Sequence, residues 1–197
     1  VNASNREKIV DWIAQHQAGF DVEVEDATFD QFMLAIQGPR GLGILAPHVD
    51  VDLAAMGYYT ATHATIKGTA GIVSRTGYTG EDGFEVIVPV DAAVDLWTTL
   101  IDDGAGQGLL PAGLGCRDTL RLEAAMPLYG HELNEQIDPY TAGLGFGVKL
   151  QAADFIGKEA VAAAKANSNR RKRVGLELEG RRIAREGAEL FIGDESV

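Results

Sequence analysis

The sequence SRTGYTGEDGFEVIV, residues 74–88, combines a glycine-rich turn with the strand that best defines the architecture. Within this strand, alternation places Phe84, Val86 and Val88 on one face. Glu85 lies on the opposite face, directly after the turn. A carboxylate that is partly removed from water needs a partner. Glu85 is therefore either a fixed acceptor for a ligand with paired N–H donors or an ordinary surface residue of the strand.

The elements on either side of this stretch complete a mixed pattern. The sequence predicts a strand over residues 66–75 before the turn, and helices over 90–103 and 111–125 after the second strand. Residues 173–179 have the pattern of a further strand. Neighbouring strands followed by helices are typical of an α+β fold.

A second candidate, Arg117, lies on the helix predicted to begin at Pro111. The stripe at three- and four-residue spacing is otherwise small or apolar, and contains Gly113, Arg117, Leu120 and Ala124. Arg121 follows Asp118 by three residues and is predicted to form an ordinary surface pair. Arg117 is thus predicted to face a core or a cavity, where it either binds planar oxygen acceptors or forms a structural ion pair.

Tyr78 is the third candidate and lies inside the glycine-rich turn. The glycines at positions 77, 80 and 83 match neither a phosphate-binding loop nor a dinucleotide fingerprint. A tyrosine on such a turn can cover a flat ligand and donate its hydroxyl. The alternative is a turn tyrosine that packs on its own hairpin.

Composition excludes several classes of protein. Of 197 residues, 46% are hydrophobic and 23% are charged, which is enough to bury a core. The net charge of −12 disfavours a nucleic-acid partner. No apolar run is long enough for a membrane span, so no membrane partner is expected. The single cysteine, Cys116, and the spacing of the four histidines predict neither a disulfide nor a metal site.

Both ends of the sequence suggest a longer protein. The chain begins with Val1 rather than methionine, and it stops just after a strand-like run at residues 188–192. We therefore expect the 197-residue chain to be a fragment of a longer protein.

Several segments, in this order, resemble the aminomethyltransferase family, the T protein of the glycine cleavage system. The most specific are residues 74–85, SRTGYTGEDGFE, residues 115–123, GCRDTLRLE, and residues 127–133, PLYGHEL. Shorter matches are NASN at residues 2–5, QGP at residues 37–39 and FIGK at residues 155–158. Together the segments extend over the whole chain and are far more specific than any one of them.

The resemblance implies a fold and an activity. It implies the rear part of a ferredoxin-like domain at residues 1–48, a central folate-binding domain at 49–168, and a linker with the first strands of a C-terminal β-barrel at 169–197. The family transfers the methylene of an aminomethyl-lipoyl group on H protein to tetrahydrofolate, giving 5,10-methylenetetrahydrofolate and ammonia. By this resemblance the partner is lipoylated H protein, and tetrahydrofolate is the acceptor substrate.

The resemblance also implies the site residues. Asn2, Tyr78, Glu85 and Arg117 match folate-contacting positions of the family, and no catalytic residue is assigned. The family has an aspartate near the reacting folate nitrogen, which is expected upstream of this chain. It also has a folate-contacting arginine on the barrel. We expect the fragment to be inactive alone and to self-associate through apolar surface that its neighbours would cover.

Two related readings remain open. One is the folate-binding module of a dimethylglycine or sarcosine dehydrogenase, and the other is a non-catalytic folate-binding maintenance factor. The PLYGHEL segment favours the T protein over the first, and the absence of a lysine-glycine-cysteine-tyrosine motif disfavours the second. A domain without any ligand is the third alternative. The acidic chain favours a bacterial cytoplasmic location over the mitochondrial matrix.

Overall fold

The computed structural model describes residues 1–181 and 183–196, which form two compact units. The first unit contains residues 1–127, and the second begins at Leu128. The first unit begins with a 3₁₀ helix, Ala3–Asn5, and a second one follows later at Ala46–His48. Its α-helices are α1 at Arg6–His16, α2 at Gly41–Leu45, α3 at Val90–Ala105 and α4 at Leu114–Glu123. Its strands are β1 at Gln31–Gln37, β2 at Ala61–Ile66, β3 at Thr69–Ser74 and β4 at Gly83–Pro89.

The four strands form one antiparallel sheet in the order β1-β4-β3-β2. Alternation along β4 is as predicted, because Phe84, Val86 and Val88 are fully buried and Glu85 faces the other way. Helices α2 and α3 pack against the buried face of the sheet. Their side chains, among them Leu45, Leu96 and Leu100, complete the hydrophobic core. The mixed α and β architecture is therefore confirmed, and the sheet fixes where Glu85 projects.

The strand predicted over residues 66–75 corresponds to β3, but it begins too early, because residue 66 ends a separate strand, β2, that was not predicted. Strands β2 and β3 are joined by Lys67 and Gly68, which have φ angles of 46° and 79°. Two consecutive residues with positive φ form the tight turn that matches the twist of an antiparallel pair. The predicted helix at 111–125 is shorter than expected and begins at Leu114, so Pro111 lies outside it.

The second unit contains little regular structure. It has a 3₁₀ helix at Gly145–Gly147, helix α5 at Lys158–Ala166, and a hairpin of β5, Phe191–Ile192, with β6, Glu195–Ser196. The strand predicted at residues 173–179 is wrong, since this segment forms no strand in the structure. An alternating pattern makes a strand only where another strand is available to pair with it.

The domain borders at residues 48 and 168 come from the resemblance to the full-length family and stay a proposal. Within this chain, β1 lies before residue 48 and pairs along its whole length with β4, which lies after it. None of the described helices is both long and apolar enough to cross a membrane.

Candidate functional site

The glycine-rich turn between β3 and β4 is closed by an ion pair. Arg75 Nε and Nη2 donate to the two carboxylate oxygens of Asp82 at 3.0 and 2.7 Å. Hydrogen bonds from Arg75 hold the pKa of the Asp82 carboxyl below its ordinary value, so the carboxyl stays ionised further into the acidic range than a free aspartate. Arg75 Nη1 also donates to the Met56 carbonyl at 2.8 Å. The two ends of the turn are thus joined to each other, and the Arg75 end is also bonded to the segment before β2.

Gln37, the last residue of β1, holds the turn through three hydrogen bonds of its side chain. Its Nε2 donates to the carbonyls of Thr76 at 3.0 Å and Phe84 at 3.2 Å, and its Oε1 accepts from Thr79 Oγ1 at 3.3 Å. A Cβ at Gly77 would overlap the Gln37 side chain. A side chain at position 77 would therefore displace the Gln37 amide from these hydrogen bonds.

Tyr78 and Arg117 are in direct contact. The Arg117 guanidinium carbon lies 4.4 Å from the centroid of the Tyr78 ring, a cation–π distance. The Tyr78 hydroxyl donates to the Pro127 carbonyl at 2.5 Å, so the ring contacts the segment around α4 rather than only its own hairpin. Gly80, which has a φ of +80°, lets the turn lie close to the C-terminal end of α4, because a Cβ at this position would lie only 2.8 Å from the Ala124 Cβ. The structure therefore brings two of the four predicted residues together.

Glu85 is joined to the same turn by a hydroxyl group. Thr76 Oγ1 donates to Glu85 Oε2, and Ser74 Oγ lies 2.8 Å from Thr76 Oγ1. The Glu85 side chain is half-buried on the sheet face that α2 and α3 do not cover. A carboxylate that is held at one oxygen keeps its other lone pairs for a ligand's donors.

Asn2, the fourth predicted residue, is placed elsewhere. It precedes the first 3₁₀ helix, where its carbonyl accepts the Asn5 N–H at 2.9 Å. Among the described residues, no hydrogen bond joins Asn2 to the other three predicted residues. Its role therefore stays a prediction.

The predicted environments of the two arginines of α4 are wrong. Arg121 is only 5% exposed, whereas Arg117 is exposed. Arg121 donates to Asp118 at 2.8 Å and to the Met126 carbonyl at 3.4 Å. The chain turns back after α4, with the Met126 N–H bonded to the Arg121 carbonyl at 2.8 Å, and this return encloses position 121. Position 117, one turn earlier, is left open beside Tyr78.

We therefore expect Arg121→Ala to lower the free energy of unfolding by about 1.5–3 kcal/mol, the usual contribution of hydrogen bonds to a charged group. Arg117→Ala is its matched control on the same helix. It removes one exposed cation–π contact, for which about 0.5–1 kcal/mol is typical. Chemical denaturation of both variants of this chain measures the difference. An equal or larger loss for Arg117→Ala contradicts the structural assignment.

Three residues that organise the site were not predicted from the sequence: Gln37, Arg75 and Thr76. Gln37 and Thr76 are 39 residues apart and meet only because β1 pairs with β4. One feature of the sequence indicated Thr76: it follows Ser74 by two residues and so continues the same face of the strand. In the sheet, Ser74 is the register partner of Glu85.

The glycine-rich turn thus supplies one member of each of two contacts: Thr76 with Glu85, and Tyr78 with Arg117. Glu85 offers a carboxylate acceptor, Arg117 offers guanidinium donors, and Tyr78 offers an aromatic edge and face. A carboxylate, a guanidinium and an aromatic ring suit a flat, polar heterocycle, because one carboxylate can accept two adjacent N–H donors.

Comparison with known proteins defines the class. Residues 1–152 match the family described as "GCVT N-terminal domain". This match extends over more than half of the chain, and the chain belongs to this family. The matched residues include the four-stranded sheet and the glycine-rich turn described above.

Three similar curated proteins share one name. The chain is 47% identical over 186 residues to an aminomethyltransferase of Herpetosiphon aurantiacus, a match over 94% of this chain and 50% of the relative. It is 49% identical over 185 residues to an aminomethyltransferase of Moorella thermoacetica, with 94% and 50% covered. The Streptomyces coelicolor aminomethyltransferase is 46% identical over 200 residues, with 100% and 54% covered. The chain thus spans about half the length of the curated relatives it matches.

A solved structure shares the fold. The crystal structure of glycine cleavage system aminomethyltransferase T from Bartonella henselae superposes with a TM-score of 0.71 at 28% identity. The match covers 83% of this chain and 44% of that one.

Proposed function

We propose that this chain is the central, folate-binding part of an aminomethyltransferase of the glycine cleavage system. The complete product of the reading frame that contains these 197 residues is called the parent protein below. The parent protein transfers the methylene of an aminomethyl-lipoyl group to tetrahydrofolate. The observation that carries the proposal is that one glycine-rich turn contacts both Glu85, through Thr76, and Arg117, through Tyr78, in a chain whose relatives bear that name.

Glu85 binds the pterin ring of tetrahydrofolate in this proposal. Its carboxylate accepts the exocyclic amine and the neighbouring ring N–H, and two parallel bonds to a charged group fix the plane of the ring. Arg117 and Tyr78, which are 4.4 Å apart, form a second set of ligand contacts in this proposal. The Arg117 guanidinium donates to acceptors on the same ring system. Asn2 adds a further folate contact by resemblance to the family.

The reaction itself needs little chemistry from these residues. The carbon–sulfur and carbon–nitrogen bonds of the aminomethyl group break, and the methylene forms one bond to each of two folate nitrogens. Of the two protons that these nitrogens lose, one completes the departing ammonia and the other completes the lipoyl dithiol. The residues described above position the folate, and positioning of two reactants can be worth about 7 kcal/mol or more of the barrier. We assign no nucleophile or catalytic residue within this chain.

Lipoylated H protein is the proposed partner, since it carries the aminomethyl group. We further propose the ferredoxin-like and central domains at residues 1–48 and 49–168, with a C-terminal barrel that begins within 169–197. The named relatives are bacterial, which supports a bacterial cytoplasmic location.

The proposed activity is tested by mixing the parent protein with tetrahydrofolate and H protein loaded with the aminomethyl group. We expect 5,10-methylenetetrahydrofolate and ammonia in equal amounts. Unloaded H protein is the control and should give neither product. Folate binding without product from loaded H protein would instead support a maintenance factor, and no folate binding would reject the proposal.

A further inference from the structure

A chain of hydrogen bonds runs from β3 through the turn to the Glu85 carboxylate. Ser74 Oγ lies 2.8 Å from Thr76 Oγ1, and Thr76 Oγ1 donates to Glu85 Oε2. The backbone of Thr76 is held as well, because Gln37 Nε2 donates to its carbonyl at 3.0 Å. All of these groups are partly buried. Thr76 is thus fixed at its main chain and contacts Glu85 with its side chain.

The direction of this chain follows from the number of protons. A threonine hydroxyl has one proton to donate and two lone pairs to accept with. Because the Thr76 proton goes to the carboxylate, Ser74 must donate in the 2.8 Å contact. The alternative acceptor for Ser74, the Glu85 carbonyl, is 3.3 Å away and is the poorer one. The protons therefore all point from Ser74 towards Glu85.

We propose that Thr76 is a positioning residue for the Glu85 carboxylate, and through it for the pterin ring. The inference rests on the proposed role of Glu85 in folate binding. The Thr76 hydroxyl occupies Oε2 and fixes the plane of the carboxylate before the ligand arrives. Oε1 and the second lone pair of Oε2 then remain for the two N–H donors of the ring. A glutamate that is already ordered loses less side-chain freedom on binding.

The test is a double-mutant cycle in the parent protein, with the tetrahydrofolate dissociation constant measured by calorimetry. Thr76→Val removes the hydroxyl with little change in volume and should weaken binding about 3- to 10-fold. Thr76→Ser keeps the hydroxyl and should bind within about twofold of the parent. In a Glu85→Gln background, Thr76→Val should add less than about twofold, because the two residues act as one unit.

Thr79→Val is the matched control on the same turn. The Thr79 hydroxyl contacts Gln37 at 3.3 Å and not Glu85. Its effect on affinity should therefore be smaller than that of Thr76→Val, because the Thr76–Glu85 hydrogen bond stays in place. Equal unfolding midpoints for all variants show that binding alone has changed.

The outcomes separate the two proposals. If Glu85→Gln weakens binding but Thr76→Val does not, or adds in full to it, the positioning role is overturned and the folate site stands. If Thr76→Ser weakens binding as much as Thr76→Val, the methyl group and not the hydroxyl matters, and the positioning role is again overturned. If Glu85→Gln binds tetrahydrofolate as the parent does, both proposals are overturned. If Thr76→Val lowers the unfolding midpoint, the comparison of parent with Thr76→Ser still decides the matter, because full affinity supports the hydroxyl and reduced affinity overturns it.

Discussion

Replacing Glu85 by glutamine in the parent protein should weaken tetrahydrofolate binding about 10- to 150-fold, which corresponds to about 1.5–3 kcal/mol for a hydrogen bond to a charged group. The substitution keeps the shape of the side chain but removes its charge. It also places an amide NH₂ where one of the ring's N–H donors needs an acceptor. Glu85 is half-buried on the less covered face of β4, so the fold should survive.

Glu81→Gln is the matched control, because Glu81 is an exposed carboxylate on the same glycine-rich turn. It changes the net charge of the protein by the same amount and should leave the affinity unchanged. Calorimetric titration of both variants, with unfolding midpoints measured alongside, separates binding from stability. Equal affinity for Glu85→Gln and the parent protein removes Glu85 from the site.

The second large effect concerns the 197-residue chain by itself. We expect it to form 5,10-methylenetetrahydrofolate at least about a hundredfold more slowly than a full-length relative, because displacement of reacting groups by about 1 Å can cost that much. The chain spans only 50% of the Herpetosiphon aurantiacus aminomethyltransferase. By resemblance to the family, an aspartate near the reacting nitrogen and a folate-contacting arginine belong to the other half. The chain keeps Tyr78, Glu85 and Arg117, so weak folate binding is expected without turnover.

The assay compares this chain with the full-length Herpetosiphon aurantiacus enzyme at equal concentrations of loaded H protein and tetrahydrofolate. The relative itself is the positive control, and loaded H protein without either enzyme measures spontaneous release. Turnover by the chain within about tenfold of the relative would mean that residues outside these 197 contribute little to positioning.

The sequence was a good guide where the physics is local. Alternation along residues 84–88 predicts which side chains of β4 are buried, and it isolates Glu85 on the other face. Glycine spacing marks the turn that carries Tyr78. Both features depend on residues one to four positions apart, and such residues belong to the same strand or turn.

Prediction failed where the environment depends on distant parts of the chain. Arg117 and Arg121 lie one turn apart on α4, and only the return of the chain to Met126 decides which of them is enclosed. The support of the turn by Gln37 likewise exists only after β1 and β4 pair. Strand β2 and the Lys67-Gly68 turn were missed because β2, at Ala61–Ile66, lacks a clear alternation of apolar and polar residues.

A crystal structure of the parent protein with bound tetrahydrofolate tests the central claim most directly. We expect the exocyclic amine and the adjacent ring N–H of the pterin to lie within about 3.2 Å of the Glu85 carboxylate oxygens, the ordinary range of such hydrogen bonds. We expect the ring system to lie beside the pair formed by Tyr78 and Arg117, with Thr76 still bonded to Glu85. A pterin bound with no contact to Glu85, Tyr78 or Arg117 would contradict the claim that this glycine-rich turn and the strand after it form the folate site.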